Sequence, residues 1–108
     1  MKTLKFEADL APKILSGEKT TTWRLWDDKD LKAGDNIKFI NRGNGEVFAK
    51  RKLTKVYEKP FRDLVAEDWL GHEEFPSKEE MYKTYSGYYQ RKVTPDTIVK
   101  IIHFSRLT

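Results

Sequence analysis

The segment 17–24, which reads Gly-Glu-Lys-Thr-Thr-Thr-Trp-Arg, concentrates side chains capable of chemistry. In an extended strand, successive side chains point to opposite faces, so Thr20, Thr22 and Arg24 lie on the same face. Hydroxyl groups beside a guanidinium can bind a phosphate or a carbonyl oxygen. A structural interpretation is also open, because threonine favours strands and Trp23 suits a hydrophobic core.

Lys19 and Thr22 carry an amine and a hydroxyl group whose reactivity depends on their surroundings. A threonine hydroxyl is a weak nucleophile until a base takes its proton. Lysine acts as that base only where burial or a neighbouring cation such as Arg24 lowers its pKa. Residues 19 and 22 point to opposite faces of a straight strand. A site that uses both therefore requires Lys19 to lie in the turn before the strand or at a bulge.

The acidic candidates are Glu73 and Glu74, which stand shortly before a predicted helix. Either carboxyl group can move a proton, but the dipole of a helix also favours acids near its N-terminus without any chemistry. His72 and His103 have no histidine or carboxylate at a convincing metal-ligand spacing, and the chain has no cysteine. We therefore predict no metal site and no cofactor.

The pattern of hydrophobic residues predicts a single α+β, mainly β domain over residues 1–108, a length typical of one domain. The expected strands are Lys2–Glu7, Thr20–Arg24, Asn36–Asn41, Glu46–Tyr57 and Thr97–Arg106. Short helices are expected at Asp9–Ser16, Phe61–Leu70 and, capped by Ser77, through Tyr85. Imperfect alternation in the fourth strand predicts a bulge. A short chain with one long curved strand is expected to close into a small barrel of five to six strands.

Charge is distributed unevenly along this chain, whose formal net charge is +4. Residues 36–59 hold seven basic side chains against two acidic ones, whereas residues 61–82 hold seven acidic against two basic. The basic segment can attract a polyanion, and the acidic segment can instead dock a basic protein. Both segments are also compatible with ordinary solvated surface. Because the apolar runs are short, we expect a soluble cytoplasmic protein with no membrane partner, most simply a monomer.

The order Gly-x-Lys-Thr-x-Thr-x-Arg at 17–24, placed between a short helix and the segment 32–37, resembles the ASCH domain family of the PUA-like superfamily. The resemblance continues through the segment 73–77 to the last strand at 99–107. It implies a PUA-like small β-barrel with two to three short helices and a cleft. It also implies RNA or a modified nucleoside as the partner.

Within that family, the chain resembles the small single-domain bacterial enzymes that hydrolyse N4-acetylcytidine to cytidine and acetate. Their catalytic groups are a lysine, a threonine three residues later and a distant glutamate, which the resemblance places on Lys19, Thr22 and Glu74. Glu73 is the alternative glutamate, because a one-residue slip is open there. The side chains expected to contact substrate or RNA are Arg24, Thr20, Glu73, Lys50 and Lys52. A non-catalytic RNA-binding or protein-interaction module of the same fold is the alternative function.

Overall fold

The computed structural model describes residues 1–106 and contains five β-strands. They are β1 (Thr3–Phe6), β2 (Thr21–Leu25), β3 (Asn36–Asn41), β4 (Val47–Pro60) and β5 (Ile98–Phe104). All five belong to a single sheet in the order β1-β3-β4-β5-β2. β1 and β3 run parallel, and the other neighbouring strands are antiparallel. The α+β, mainly β class is confirmed; Leu107, within the last segment of the resemblance, lies outside the described residues.

The long strand β4 is bent, as its imperfect alternation predicts. Leu53 pairs with Phe104 and Lys55 pairs with His103, which leaves Thr54 as an extra residue in β4. An extra residue of this kind increases the local twist of a strand. The first part of β4 consequently pairs with β3, and the second part pairs with β5.

The sheet forms a half-barrel rather than a barrel closed by backbone pairing. No strand ladder joins the two edge strands, β1 and β2, in the part of the chain that the structure describes. A side chain spans the gap instead: Arg24 Nη2 donates to the carbonyl oxygen of Lys5 at 2.6 Å. The same guanidinium lies 4.8 Å from the centre of the Phe6 ring. We call this gap the seam.

The helices are short and lie in the connections between strands. They are α1 (Ala11–Leu15), α2 (Ala66–Trp69) and α3 (Lys78–Tyr89), with 3-10 turns at Ala8–Leu10 and Phe61–Asp63. Ser77 caps α3 as predicted, because its Oγ accepts from the backbone N–H of Glu80 at 3.1 Å. The predicted helix over 61–70 is wrong. Leu64 and Val65 are extended, and the Asp68 carboxylate accepts from Val65 N at 2.8 Å, which starts a new helix there.

Two hydrophobic clusters fill the fold. One lies inside the half-barrel and includes Leu4, Phe39 and Leu53. The other includes Trp23 of β2 and is covered by α3, which buries Met81 and Tyr85 in it. Strand β2 is thereby held from both sides, by its pairing with β5 and by the cluster beneath α3.

A tight turn over residues 70–73 docks on the start of β2. The Gly71 carbonyl accepts from Thr20 N at 2.9 Å and from Thr21 N at 3.2 Å. The Thr21 hydroxyl donates to the Leu70 carbonyl at 2.5 Å. Gly71 has a φ of +75°, and a Cβ there would lie 2.0 Å from Thr20 Oγ1. The close approach therefore requires glycine, and it fixes the two residues that follow.

Substitution of Gly71 by alanine tests this docking, with Gly45 as a matched control. Both glycines have a φ of +75°, but a Cβ at Gly45 would meet nothing within 4 Å. Both substitutions lose about 1–2 kcal/mol through the left-handed backbone. Gly71→Ala should lose about 1–3 kcal/mol more through the clash with Thr20. Urea unfolding of the two variants measures the difference, and equal losses would contradict the docked turn.

Candidate functional site

A cleft of about 430 Å³ opens at the seam between β1 and β2. That volume falls in the range of about 300–1,000 Å³ that small-molecule sites occupy. Its walls come from the edge strands, the segment after β2, the turn at 70–73 and α3. The residues that line it include Phe6, Thr22, Arg24, His72, Glu73 and Tyr85. Hydroxyl, guanidinium, imidazole and carboxylate groups thus surround one space.

Lys19 lies beside this cleft, in the turn that precedes β2 rather than in the strand. Only 3% of its side chain is exposed, and its Nζ lies 2.5 Å from Glu73 Oε2. Nζ also donates to the Thr21 carbonyl oxygen at 2.6 Å. Lys19 thus precedes the regular strand, which is the position that a site using both residues 19 and 22 requires.

The environment shifts the pKa of both members of this ion pair. Burial lowers the pKa of Lys19, and the charges of Arg24 and Lys13 add to this, although Glu73 opposes it. Burial alone would raise the pKa of Glu73, but attraction to His72 in acid, where that imidazole is protonated, and the charge and hydrogen bond of Lys19 hold it below its usual range. Glu73 is consequently ionised at neutral pH, and Lys19 gives up its proton more readily than a solvated lysine does.

His72 is a neutral support for the ion pair. Its ring stacks on Trp23 at 3.9 Å, with an angle of 17° between the planes. Nδ1 lies 2.8 Å from the Glu73 carbonyl oxygen, and Nε2 lies 3.2 Å from the Tyr85 hydroxyl. Burial lowers the pKa of His72 to about 4, so the imidazole is uncharged at pH 7. The spacing of His72 indicated no metal site, and its position directly before Glu73 is the sequence signal for its role beside that carboxylate.

Thr22 and Arg24 both line the cleft, and Trp23 and Leu25 of the opposite strand face line it as well. Thr22 is only 5% exposed, and its strand β2 is an edge strand of the sheet. Thr20, expected on the same face, packs against Gly71 instead and is outside the cleft lining. The physical reason is that Thr20 precedes the regular strand and its backbone belongs to the docked turn.

The other sequence-predicted residues lie away from the ion pair. Glu74 is exposed and does not line the cleft, whereas its neighbour Glu73 contacts Lys19. Lys50 and Lys52 are exposed on β4, the central strand of the sheet, and also lie outside the cleft lining. The structure thus brings together the following predicted residues: Lys19, Thr22, Arg24 and Glu73.

A second polar network, which sequence analysis did not find, lies behind the site. The Thr21 hydroxyl lies 2.8 Å from His103 Nδ1, and His103 Nε2 lies 3.1 Å from the Tyr57 hydroxyl. Tyr57 in turn donates to the Asp68 carboxylate, which pairs with Lys59 at 2.7 Å. The network ties β4, β5 and α2 to the first residue of β2.

Burial opposes ionisation of Asp68, but hydrogen bonds from Lys59 and Tyr57 hold its pKa below the usual range. Asp68 and Glu73 both belong to the acidic segment 61–82, and both are engaged in ion pairs inside the fold. Across residues 1–106, no three His, Asp or Glu side chains are placed to hold a metal ion. None of the helices in that range has the length and apolar character needed to cross a membrane.

No protein-family model matches this chain, and no curated protein matches it. Solved structures do match it. Protein EF3133 from Enterococcus faecalis V583, assigned to the family model DUF984, is 23% identical with a TM-score of 0.73. An ASCH domain from Lactobacillus crispatus JV V101 is 15% identical with a TM-score of 0.69. Each match covers 90% of this chain and 69% of the other chain.

The ZmASCH protein from Zymomonas mobilis is 17% identical, with a TM-score of 0.65 over 95% of this chain and 66% of its own. This chain therefore spans about two thirds of the length of these three proteins. The TM-scores establish the fold, whereas sequence identities this low leave the activity open. The expectation drawn from the segment 17–24 is confirmed at that level: the chain has the PUA-like fold of ASCH domain proteins.

Proposed function

We propose that the cleft is an amidohydrolase site that converts N4-acetylcytidine to cytidine and acetate. The observation that carries this proposal is the buried pair of Lys19 and Glu73, which adjoins a cleft lined by Thr22 and Arg24. Acyl transfer needs a general base, a hydroxyl nucleophile and a cationic group that stabilises the oxyanion. We choose N4-acetylcytidine as the substrate because the segment 17–24 resembles the corresponding segment of the enzymes that hydrolyse it.

In the first step, Thr22 Oγ1 attacks the carbonyl carbon of the acetyl group. Unprotonated Lys19 takes the hydroxyl proton, and burial supports this role by lowering its pKa. The guanidinium of Arg24 faces the same cleft and stabilises the oxyanion that develops. The bond between the carbonyl carbon and N4 then breaks. N4 takes the proton from Lys19, cytidine leaves and the acetyl group remains on Thr22 as an ester.

In the second step, water attacks the carbonyl carbon of the acetyl ester. Glu73, ionised because its pKa is held low, accepts a proton from the water. The ester bond breaks, Glu73 passes this proton to Thr22 Oγ1, and acetic acid leaves and loses its own proton to solvent to become acetate. Glu73 has this role in the proposal, in place of Glu74, because Glu73 contacts Lys19 and lines the cleft.

The first experiment incubates the purified protein with N4-acetylcytidine and follows cytidine formation by chromatography. We expect turnover, and we expect Thr22→Val to reduce kcat by about 100-fold or more because the nucleophile is lost. Valine keeps the branched shape of threonine, so the melting temperature should change little. Thr54→Val, at the exposed bulge of β4, is the matched control and should retain activity. Absence of cytidine at high protein concentration would contradict the proposal.

The two adjacent glutamates provide a second test. Glu73→Gln should lower kcat by about 10²–10⁴-fold, because the amide cannot accept a proton. Glu74→Gln should leave kcat nearly unchanged, since that side chain is exposed outside the cleft. Steady-state kinetics of both variants, with circular dichroism to verify folding, decides the assignment. Loss of activity in the Glu74 variant alone would return the role to Glu74.

The pH dependence of kcat/KM tests Lys19 as the base. Activity requires the unprotonated amine, so kcat/KM should rise with pH as Lys19 loses its proton. Burial lowers the pKa of Lys19, so the midpoint should lie below the ordinary value of 10.5. Protonation of Glu73 should not limit kcat/KM above pH 4.5, because the pKa of Glu73 lies below that ordinary value. A rate that falls as pH rises from 7 to 10 would contradict this role.

A further inference from the structure

Trp26, the residue directly after β2, has an unusual backbone and an exposed ring. Its φ is +49°, in the left-handed region that bulky side chains rarely adopt. Its exposed fraction is 42%, although indole rings gain most from burial. Strain of this kind persists where the surrounding structure enforces it, and it clusters at ligand-binding sites. The ring also lines the cleft.

The ring of Trp26 is held in place by two neighbours. The Arg91 guanidinium lies 4.1 Å from the ring centre, and the Tyr89 ring meets it edge-on at 5.6 Å. Tyr88, which is 63% exposed, lines the same cleft. An indole and an exposed phenol ring therefore border one cleft, and a guanidinium packs on the indole.

We propose that Trp26, Arg91 and Tyr88 form a stacking subsite for a second base, so that the ligand is a single-stranded oligonucleotide rather than a free nucleoside. Aromatic rings and guanidinium planes are the surfaces on which unpaired bases stack. The identity of the first base rests on the proposed function. The subsite itself rests on the exposed rings and on the cation that faces Trp26.

The spacing along β2 agrees with a ligand longer than one nucleoside. Trp26 follows Thr22 by four residues, about 13 Å of extended chain. A nucleoside positioned at Thr22 leaves the Trp26 ring open, whereas an attached nucleotide can extend to it. Lys5 lines the cleft and can meet the linking phosphate, whereas Arg42 in the same lining is paired with Glu7 at 3.5 Å. Asp27, on the same side, is neutralised by Lys100 at 3.0 Å.

The test measures dissociation constants for cytidine monophosphate and for a ribose trinucleotide with cytidine in the middle. We expect the trinucleotide to bind about 5- to 150-fold more tightly, the effect of one stacked base. Trp26→Ala should remove this gain and leave the affinity for the monophosphate unchanged. Arg91→Gln should weaken trinucleotide binding more than Lys92→Gln, because both remove one charge but only Arg91 faces the indole. A deoxyribose trinucleotide that shows the same gain would also support stacking, since stacking does not read the 2′-hydroxyl.

Equal affinities for the monophosphate and the trinucleotide would overturn the subsite, as would a Trp26→Ala variant that keeps the full gain. The result is separable from the proposed function. Turnover of N4-acetylcytidine without any trinucleotide gain would refute the subsite alone. A trinucleotide gain that depends on Trp26, without turnover, would support the subsite and refute only the hydrolysis.

Discussion

The buried ammonium group of Lys19 is the constraint on which the rest of the site depends. A charge that is 97% removed from solvent must be paired, and removal of its partner would cost about 3–5 kcal/mol. Glu73 can supply the pairing carboxylate only if the turn at 70–73 stays docked on β2. That docking needs the glycine at position 71, whose close contact with Thr20 leaves no room for a side chain. The Glu73 side chain keeps 30% exposure, so one carboxylate serves both the ion pair and the cleft.

The seam explains why this fold has a cleft at all. Two edge strands that paired with each other would close the barrel and leave only side chains inside it. Here the Arg24 guanidinium spans the gap by bonding to the Lys5 carbonyl, and it adds a positive charge to an opening that Glu7, Asp28 and Glu73 also line. Unpaired edges invite association with other strands. At β2, that edge is instead covered by the 70–73 turn and by side chains of α3, which form the walls of the cleft.

The parts of the fold that the sequence predicts correctly depend on residues that lie close together in the chain. The bounds of β3, the Ser77 cap and the bulge in β4 each follow from local turn chemistry, capping or alternation. The helix expected over 61–70 fails because Asp68 is drawn to Tyr57 and Lys59 of β4, a contact that no local pattern reveals. The placement of Glu73, rather than Glu74, against Lys19 likewise depends on a distant contact. It is decided by the contact of Gly71 with Thr20, which are far apart in the chain.

Charge along the chain is likewise a poor guide to charge in the cleft. The acidic segment 61–82 uses Asp68 and Glu73 inside the fold, so its external surface is less acidic than its composition suggests. The basic lysines 50 and 52 lie on the central strand, whereas the cations that line the cleft come from positions 5, 24, 29 and 42. Attraction of an anionic ligand to the cleft therefore depends on a few separated side chains. It depends little on the net charge of the segments, because screening by salt limits the reach of exposed charges to about 8–10 Å.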